Sequence, residues 1–125
     1  MNKIILMGRL VRDPEIKSTA SDKIVTTFTL AVNRRFKNAQ GQNEADFINV
    51  VVWGKQAESC GNYLGKGQRA IVDGRLQIRS YEAKDGSGRR YVTEVIAESV
   101  DFIDFANSEN KQQASSSDFN EEIPF

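Results

Sequence analysis

The chain has 125 residues, 39% hydrophobic and 27% charged, and its 17 basic and 17 acidic side chains cancel to a formal charge of zero. That length fits one domain with enough surface to bury for a core of its own. The longest apolar runs are four residues, Ile4 to Met7 and Val50 to Trp53, which excludes a membrane-spanning helix, and no signal-length apolar stretch follows Lys3.

Three strands open the chain: Ile4–Leu10, Val25–Val32 and Phe47–Trp53, all rich in β-branched and aromatic residues. Asp13-Pro14, Ser21-Asp22 and Gly41 mark turns between them. Lys55–Leu64 is the one helical stretch, with Ala57, Cys60 and Leu64 at i, i+3 and i+7. Gly61 weakens that pattern, and Gly65 is placed to end it. After Lys66-Gly67 come two more strands, Arg69–Tyr81 and Arg90–Ala97, with Asp85-Gly86-Ser87-Gly88 between them as a hairpin tip. A short segment, Val100–Phe105, is expected to cap the barrel. Three strands, a short helix and two strands is the order of the all-β, five-stranded, partly open OB barrel, whose helix sits between the third and fourth strands.

The charges are unevenly spread. Residues 1–106 hold 16 basic and 13 acidic side chains, whereas 107–125 set Lys111 against Glu109, Asp118, Glu121 and Glu122. The expectation is a mildly basic barrel over 1–106 and a disordered acidic tail over 107–125, too polar to offset its ordering entropy. Glu121, Glu122, Ile123, Pro124 and Phe125 put an acidic pair and an apolar tip at the end of this tether.

Strand parity separates two faces. Ile48, Val50 and Val52 point to the core, and Phe47, Asn49, Val51 and Trp53 point away. On the fourth strand Ala70, Val72, Gly74, Leu76 and Ile78 form the apolar face, opposite Arg69, Ile71, Asp73, Arg75, Gln77, Arg79 and Tyr81. Aromatic platforms interleaved with cations suit single-stranded nucleic acid, because every base has a π-face and every phosphate a charge. The candidate cations are Lys3, Arg9, Arg34, Arg35, Lys37, Lys55, Arg75, Arg79, Lys84, Arg89 and Arg90. Parity alone leaves nucleic-acid binding, a protein interface and a merely solvated face all open.

The stretches NKIILMGRLVRDPEIK, TFTLAV, DFINVVVWGKQAE and YLGKGQRAIVDGRLQIRSYEAKDGSGRRYVTEV, with the terminal EEIPF, resemble the bacterial and phage single-stranded DNA-binding proteins. The resemblance covers about residues 1–106 and resumes at the tip. It implies an OB fold that binds single-stranded DNA without sequence preference in replication, recombination and repair. Phe36, Phe47, Trp53 and Tyr81 would be its base-stacking residues, and the tip would dock genome-maintenance proteins. It further implies a homotetramer in the cytoplasm of a bacterial cell or a phage-infected host, with no cofactor, metal or membrane partner. Phenylalanine and tyrosine stand where some members carry tryptophan, and the acidic run before Ile-Pro-Phe is short. An OB module that binds RNA or protein is the alternative.

Enzymatic chemistry has little to work with. No histidine is present, which removes histidine-based nucleophile activation and acid–base catalysis. Cys60 is the sole cysteine, so disulfides and thiolate zinc sites are excluded, and a reducing compartment is the simplest setting. Gly65–Ala70 (GKGQRA) mimics a dinucleotide fingerprint but precedes a strand instead of opening a helix. Asp101 and Asp104 lack a third metal ligand.

Overall fold

The computed structural model describes residues 1–103. Its elements are β1 (Ile4–Leu10), β2 (Glu15–Ser18), β3 (Ile24–Asn33), β4 (Ala45–Trp53), α1 (Lys55–Tyr63), β5 (Arg69–Glu82) and β6 (Arg89–Phe102). The sheet runs β1-β5-β6-β4-β3-β2, and a further β1–β3 pairing joins β1, β5, β6, β4 and β3 into a ring. Five strands therefore make the barrel, with α1 between the third and fourth of them in chain order. All pairings are antiparallel except the short β4–β6 contact, Asn49↔Glu94 to Val51↔Ile96.

The core follows the strand alternation. Thr26, Phe28 and Leu30 of β3, Val50 and Val52 of β4, and Ala70 and Val72 of β5 are buried together with Leu10 and Val95. α1 closes one end of the barrel with Ala57 and Cys60 inward, followed by Leu64. Thr26 is the polar member of this layer, and its hydroxyl donates to the Ala57 carbonyl at 2.6 Å, tying the helix to β3. Burial pushes the Cys60 thiol up to about 11, as for a small apolar core residue.

Several elements depart from the sequence reading. β2 is a sixth strand where only a turn is expected. Its four residues are exposed, and pairing with β3, from Glu15↔Thr27 to Ser18↔Ile24, is what defines it. β2 also explains Gly61, since a Cβ there would collide with the Ile16 side chain. The helix ends without a glycine cap. Leu64 turns extended at φ −92°, ψ 150°, and its N–H returns to the Cys60 carbonyl.

Val100–Phe102 is not a separate cap but the end of β6, where Val100 faces Val72 and Phe102 faces Ala70. Residues 104–106, the tail over 107–125 and its tip Glu121–Phe125 lie outside the described residues. Leu76 and Ile78, expected in the core, are exposed, because the β5–β6 hairpin projects beyond the barrel. A bulge marks where β5 parts from β1, with Asp73 facing Ser99 but Gly74 facing Ala97, and β6 keeps its pairing with β4 as far as Glu94 before the hairpin leaves the barrel. A Cβ on Gly74 would run into the Ile96 carbonyl, so the close approach requires glycine.

Candidate nucleic-acid interface

The register builds one outward face across neighbouring strands. Opposed residues in a ladder share a face. β4 contributes Phe47, Asn49, Val51 and Trp53, which oppose Ala31, Thr29, Thr27 and Val25 of β3. On the other flank Asn49 and Val51 meet Glu94 and Ile96 of β6, which meet Gln77 and Arg75 of β5. Tyr81 faces Arg90 further along the hairpin. A groove of about 320 Å³ runs along this face, lined by Arg12, Thr27, Thr29, Asn49, Arg79 and Glu94. A second, of about 640 Å³, adjoins Trp53 and is flanked by Lys23 and Lys55.

Trp53 lines the second groove, and the other sequence-predicted rings stand outside both linings. Phe36, Phe47, Trp53 and Tyr81 are 79%, 67%, 47% and 48% exposed, although rings of this size normally bury their faces. Phe47 and Trp53 sit six residues apart on one strand face, about 20 Å by strand rise. At about 3.4 Å per stacked nucleotide, that interval spans roughly six bases, or fewer if the strand is stretched.

Phe36 comes from the β3–β4 connection, which is pinned internally. Arg34 donates to Asp46 at 2.8 and 3.1 Å and to Glu44 at 2.9 Å, and Asn38 donates to the other Glu44 oxygen. The Arg34 hydrogen bond holds the Asp46 carboxyl below the usual carboxylate range, and Asp46 in return raises Arg34. The Arg35 guanidinium lies 5.7 Å from the Phe36 ring centroid, so one ring face carries a cation and the other is open.

The cations divide by partner. Arg79 donates to Glu94 at 2.9 Å, Arg89 lies 3.4 Å from Glu82, and Lys3 contacts Asp73 and Glu98. The Asp73 hydrogen bond raises Lys3 above the usual lysine value. Arg9, Arg35, Lys37, Lys55, Arg75, Lys84 and Arg90 have no carboxylate partner among the described residues. An exposed cation without an internal counter-charge is the kind that can neutralise a phosphate.

Comparison with known proteins matches this geometry to one family. Residues 1–103 fit the single-strand binding protein family. The chain belongs to that family. Single-stranded DNA-binding protein 3 of Clostridium acetobutylicum is 57% identical over 115 residues, spanning 91% of this chain and 78% of its own length. The single-stranded DNA-binding protein of Bacillus cereus is also 57% identical over 115 residues, spanning 92% of this chain and 67% of its own length. A Plasmodium falciparum SSB solved in complex with ssDNA superposes with a TM-score of 0.75 at 29% identity, over 83% of this chain and 96% of its own. This is a family of non-enzymatic DNA-binding proteins, in keeping with the missing histidine.

Within this single-strand binding chain most sequence-predicted residues gather in three places, with Arg9, Lys3 and Lys55, the last at the start of α1, outside them. Phe47, Trp53, Arg75 and Arg79 share the strand face, while Phe36, Arg34, Arg35 and Lys37 lie in the β3–β4 connection. Tyr81, Lys84, Arg89 and Arg90 crowd the projecting hairpin. Arg9 reaches the face from β1, opposite Ala31, and donates to the Gly67 carbonyl at 2.9 Å. Lys3 sits at the far end of β1, engaged by Asp73 and Glu98. Thr29, Glu94 and Arg12 of the groove, and the 70%-exposed Tyr91, are absent from the sequence-based selection. The alternation Arg90, Val92, Glu94, Ile96 signals the orientation of Glu94, but not its partner.

Proposed function

We propose that this single-stranded DNA-binding protein works by laying bases on the rings of Phe36, Phe47, Trp53 and Tyr81 while cations at the rim meet the phosphates. The carrying observation is the set of four exposed rings, two of them on one face of β4, together with exposed cations that have no carboxylate partner among the described residues. Each stacked base contributes roughly 1–3 kcal/mol, and each phosphate neutralised adds about −0.7 to the slope of log K against log salt. Duplex DNA presents phosphates but no free base faces, so the stacking set is what selects single strands.

Trp53, the sole tryptophan, reports on this directly. Titration with oligo-dT is expected to quench its fluorescence, more weakly at high salt, while duplex leaves it largely unchanged. No quenching by the single strand would mean that Trp53 does not stack. Equal quenching by oligo-dT and oligo-U would extend the ligand to RNA, since stacking does not read the 2′-hydroxyl.

The chain is further proposed to assemble as a homotetramer in the bacterial cytoplasm, a reading supported by exposed Ile5 and Met7 on the outer face of β1 opposite Asp73 and Ile71. Light scattering of the full chain gives its subunit number. The tip Glu121–Phe125 is proposed to dock replication, recombination and repair proteins. The acidic tail around it is proposed to compete weakly with DNA. Deleting 107–125 is then expected to tighten oligo-dT binding at low salt, and unchanged affinity would refute the competition.

A further inference from the structure

The β3–β4 connection carries Phe36 on a segment that one carboxylate holds from both ends. Glu44 Oε1 accepts from Arg34 Nη1 at 2.9 Å, two residues before Phe36. Glu44 Oε2 accepts from Asn38 Nδ2 at 3.0 Å, two residues after it. The backbone repeats the arrangement. Arg34 N–H donates to the Glu44 carbonyl at 2.8 Å, one rung beyond the last ladder pair, Asn33↔Ala45. Asn38 N–H donates to the Gln42 carbonyl at 2.9 Å, and Asn38 Oδ1 accepts from the Gln40 and Gln42 N–H groups at 3.0 and 2.9 Å. Those bonds close the turn at Gly41, whose φ is 77°. Asp46 completes the cluster by accepting from Nε and Nη2 of Arg34.

The ring does little to place itself. Phe36 is largely exposed, with the Arg35 guanidinium over one face, so its position is inherited from the backbone between Arg34 and Asn38. A platform that each arriving base must first order loses affinity to that step, and holding it in place beforehand removes the loss. Fold stability does not account for the cluster. The side chains of Arg34, Glu44 and Asp46 are about half exposed, and ion pairs this open add little to folding. Phosphate affinity does not account for it either. Two carboxylates beside a polyanion repel it, and they occupy a cation that could otherwise meet a phosphate. Fixing the ring is a use that fits both facts.

We propose that Glu44 is a positioning residue for Phe36. Its two carboxylate oxygens hold Arg34 and Asn38 so that the ring stands ready to stack a base, and Arg34 serves this clamp instead of a phosphate. This deepens the stacking reading above and rests on it.

The test measures oligo-dT affinity over a salt series for the full chain and for its Glu44→Ala, Glu44→Gln, Phe36→Ala and Glu44→Ala/Phe36→Ala variants. Electrostatics and positioning predict opposite signs. Removing a carboxylate from the rim would by itself tighten binding. Loss of the clamp is expected to weaken it about fivefold in Glu44→Ala, with no reduction in salt slope. Glu44→Gln has the same charge as Glu44→Ala but keeps one accepting oxygen, so its Kd is expected to lie between that of Glu44→Ala and that of the intact protein. Phe36→Ala is expected to weaken binding about tenfold. Adding Glu44→Ala to it is expected to weaken binding no further, since no ring remains to be positioned. Unchanged or tighter binding in Glu44→Ala, or equal weakening with and without Phe36, overturns the clamp. An unchanged Kd in Phe36→Ala overturns stacking at Phe36 itself, and the clamp with it. Both positions lie on an exposed connection outside the core, so the fold is expected to survive every variant, with a melting curve as the check.

Discussion

Replacing Phe47 by alanine isolates a single stacking platform. Its ring is 67% exposed on the outer face of β4, beside the small Ala31, and outside the core. A phenylalanine side chain carries on the order of 200 Å², so roughly 130 Å² is open to a ligand. A base covering one ring face removes about half of that, ~65 Å², worth about 1.6 kcal/mol at ~25 cal/mol per Å². Phe47→Ala is therefore expected to raise Kd for oligo-dT by about fifteenfold, within the range of a single base stack.

Two controls distinguish a lost stack from a lost phosphate contact and from a weakened fold. The salt slope is expected to be unchanged, because no phosphate contact is lost. Stability is expected to stay within about 0.5 kcal/mol, a shift in Tm of roughly 2–4 °C. Anisotropy titration of a labelled oligonucleotide over a salt series, with a melting curve, measures all three quantities. An unchanged Kd refutes stacking at Phe47. A slope reduced by about 0.7 would instead trace the loss to a displaced cation, and a much lower Tm would make the ring structural.

Other consequences follow from the same geometry. Arg90→Gln removes a cation held by the Ser87 hydroxyl, with no carboxylate partner among the described residues, and is expected to lower the salt slope by about 0.7, whereas Arg34→Gln, already engaged by Glu44 and Asp46, lowers it less; equal changes in a salt titration would contradict the division of cations. Gly74→Ala forces a methyl against the Ile96 carbonyl and is expected to destabilise by about 1–3 kcal/mol, read as a lower denaturant midpoint, and a wild-type midpoint would show that the bulge relaxes freely. Cys60 is expected to react with a thiol reagent at neutral pH only as the chain opens. Because its folded value is raised to about 11 from about 8.5 when unfolded, its contribution is full below the lower value and is lost as pH rises through the higher one. Labelling in the native state at the rate of a free thiol would refute its burial.

The element order was legible because alternation in strands and turn chemistry are local. Ile48, Val50 and Val52 read as core beside outward Phe47 and Trp53, and the hairpin tip follows from Asp85-Gly86-Ser87-Gly88, where Gly86 and Gly88 adopt φ of 77° and 117°. β2 was not legible. Its four residues are all exposed, even Ile16 beside Gly61, so no alternation marks Glu15–Ser18, and pairing with the neighbouring β3 backbone makes it a strand. Leu76 and Ile78 show the opposite limit, since their alternation is correct but the core ends before it reaches them.

By itself, then, the sequence determined an all-β barrel with a single helix, no histidine chemistry, and rings turned away from the core, because side-chain period and composition depend only on chain neighbours. Tertiary structure alone decided which outward residues share a surface. The parallel β4–β6 contact sets Asn49 beside Glu94, and antiparallel pairing brings Arg79 to the same carboxylate. It also decided which cations are already spent on Glu44, Asp46, Asp73, Glu82 or Glu94. Those outcomes depend on strand register between residues far apart in the chain, which no local pattern carries.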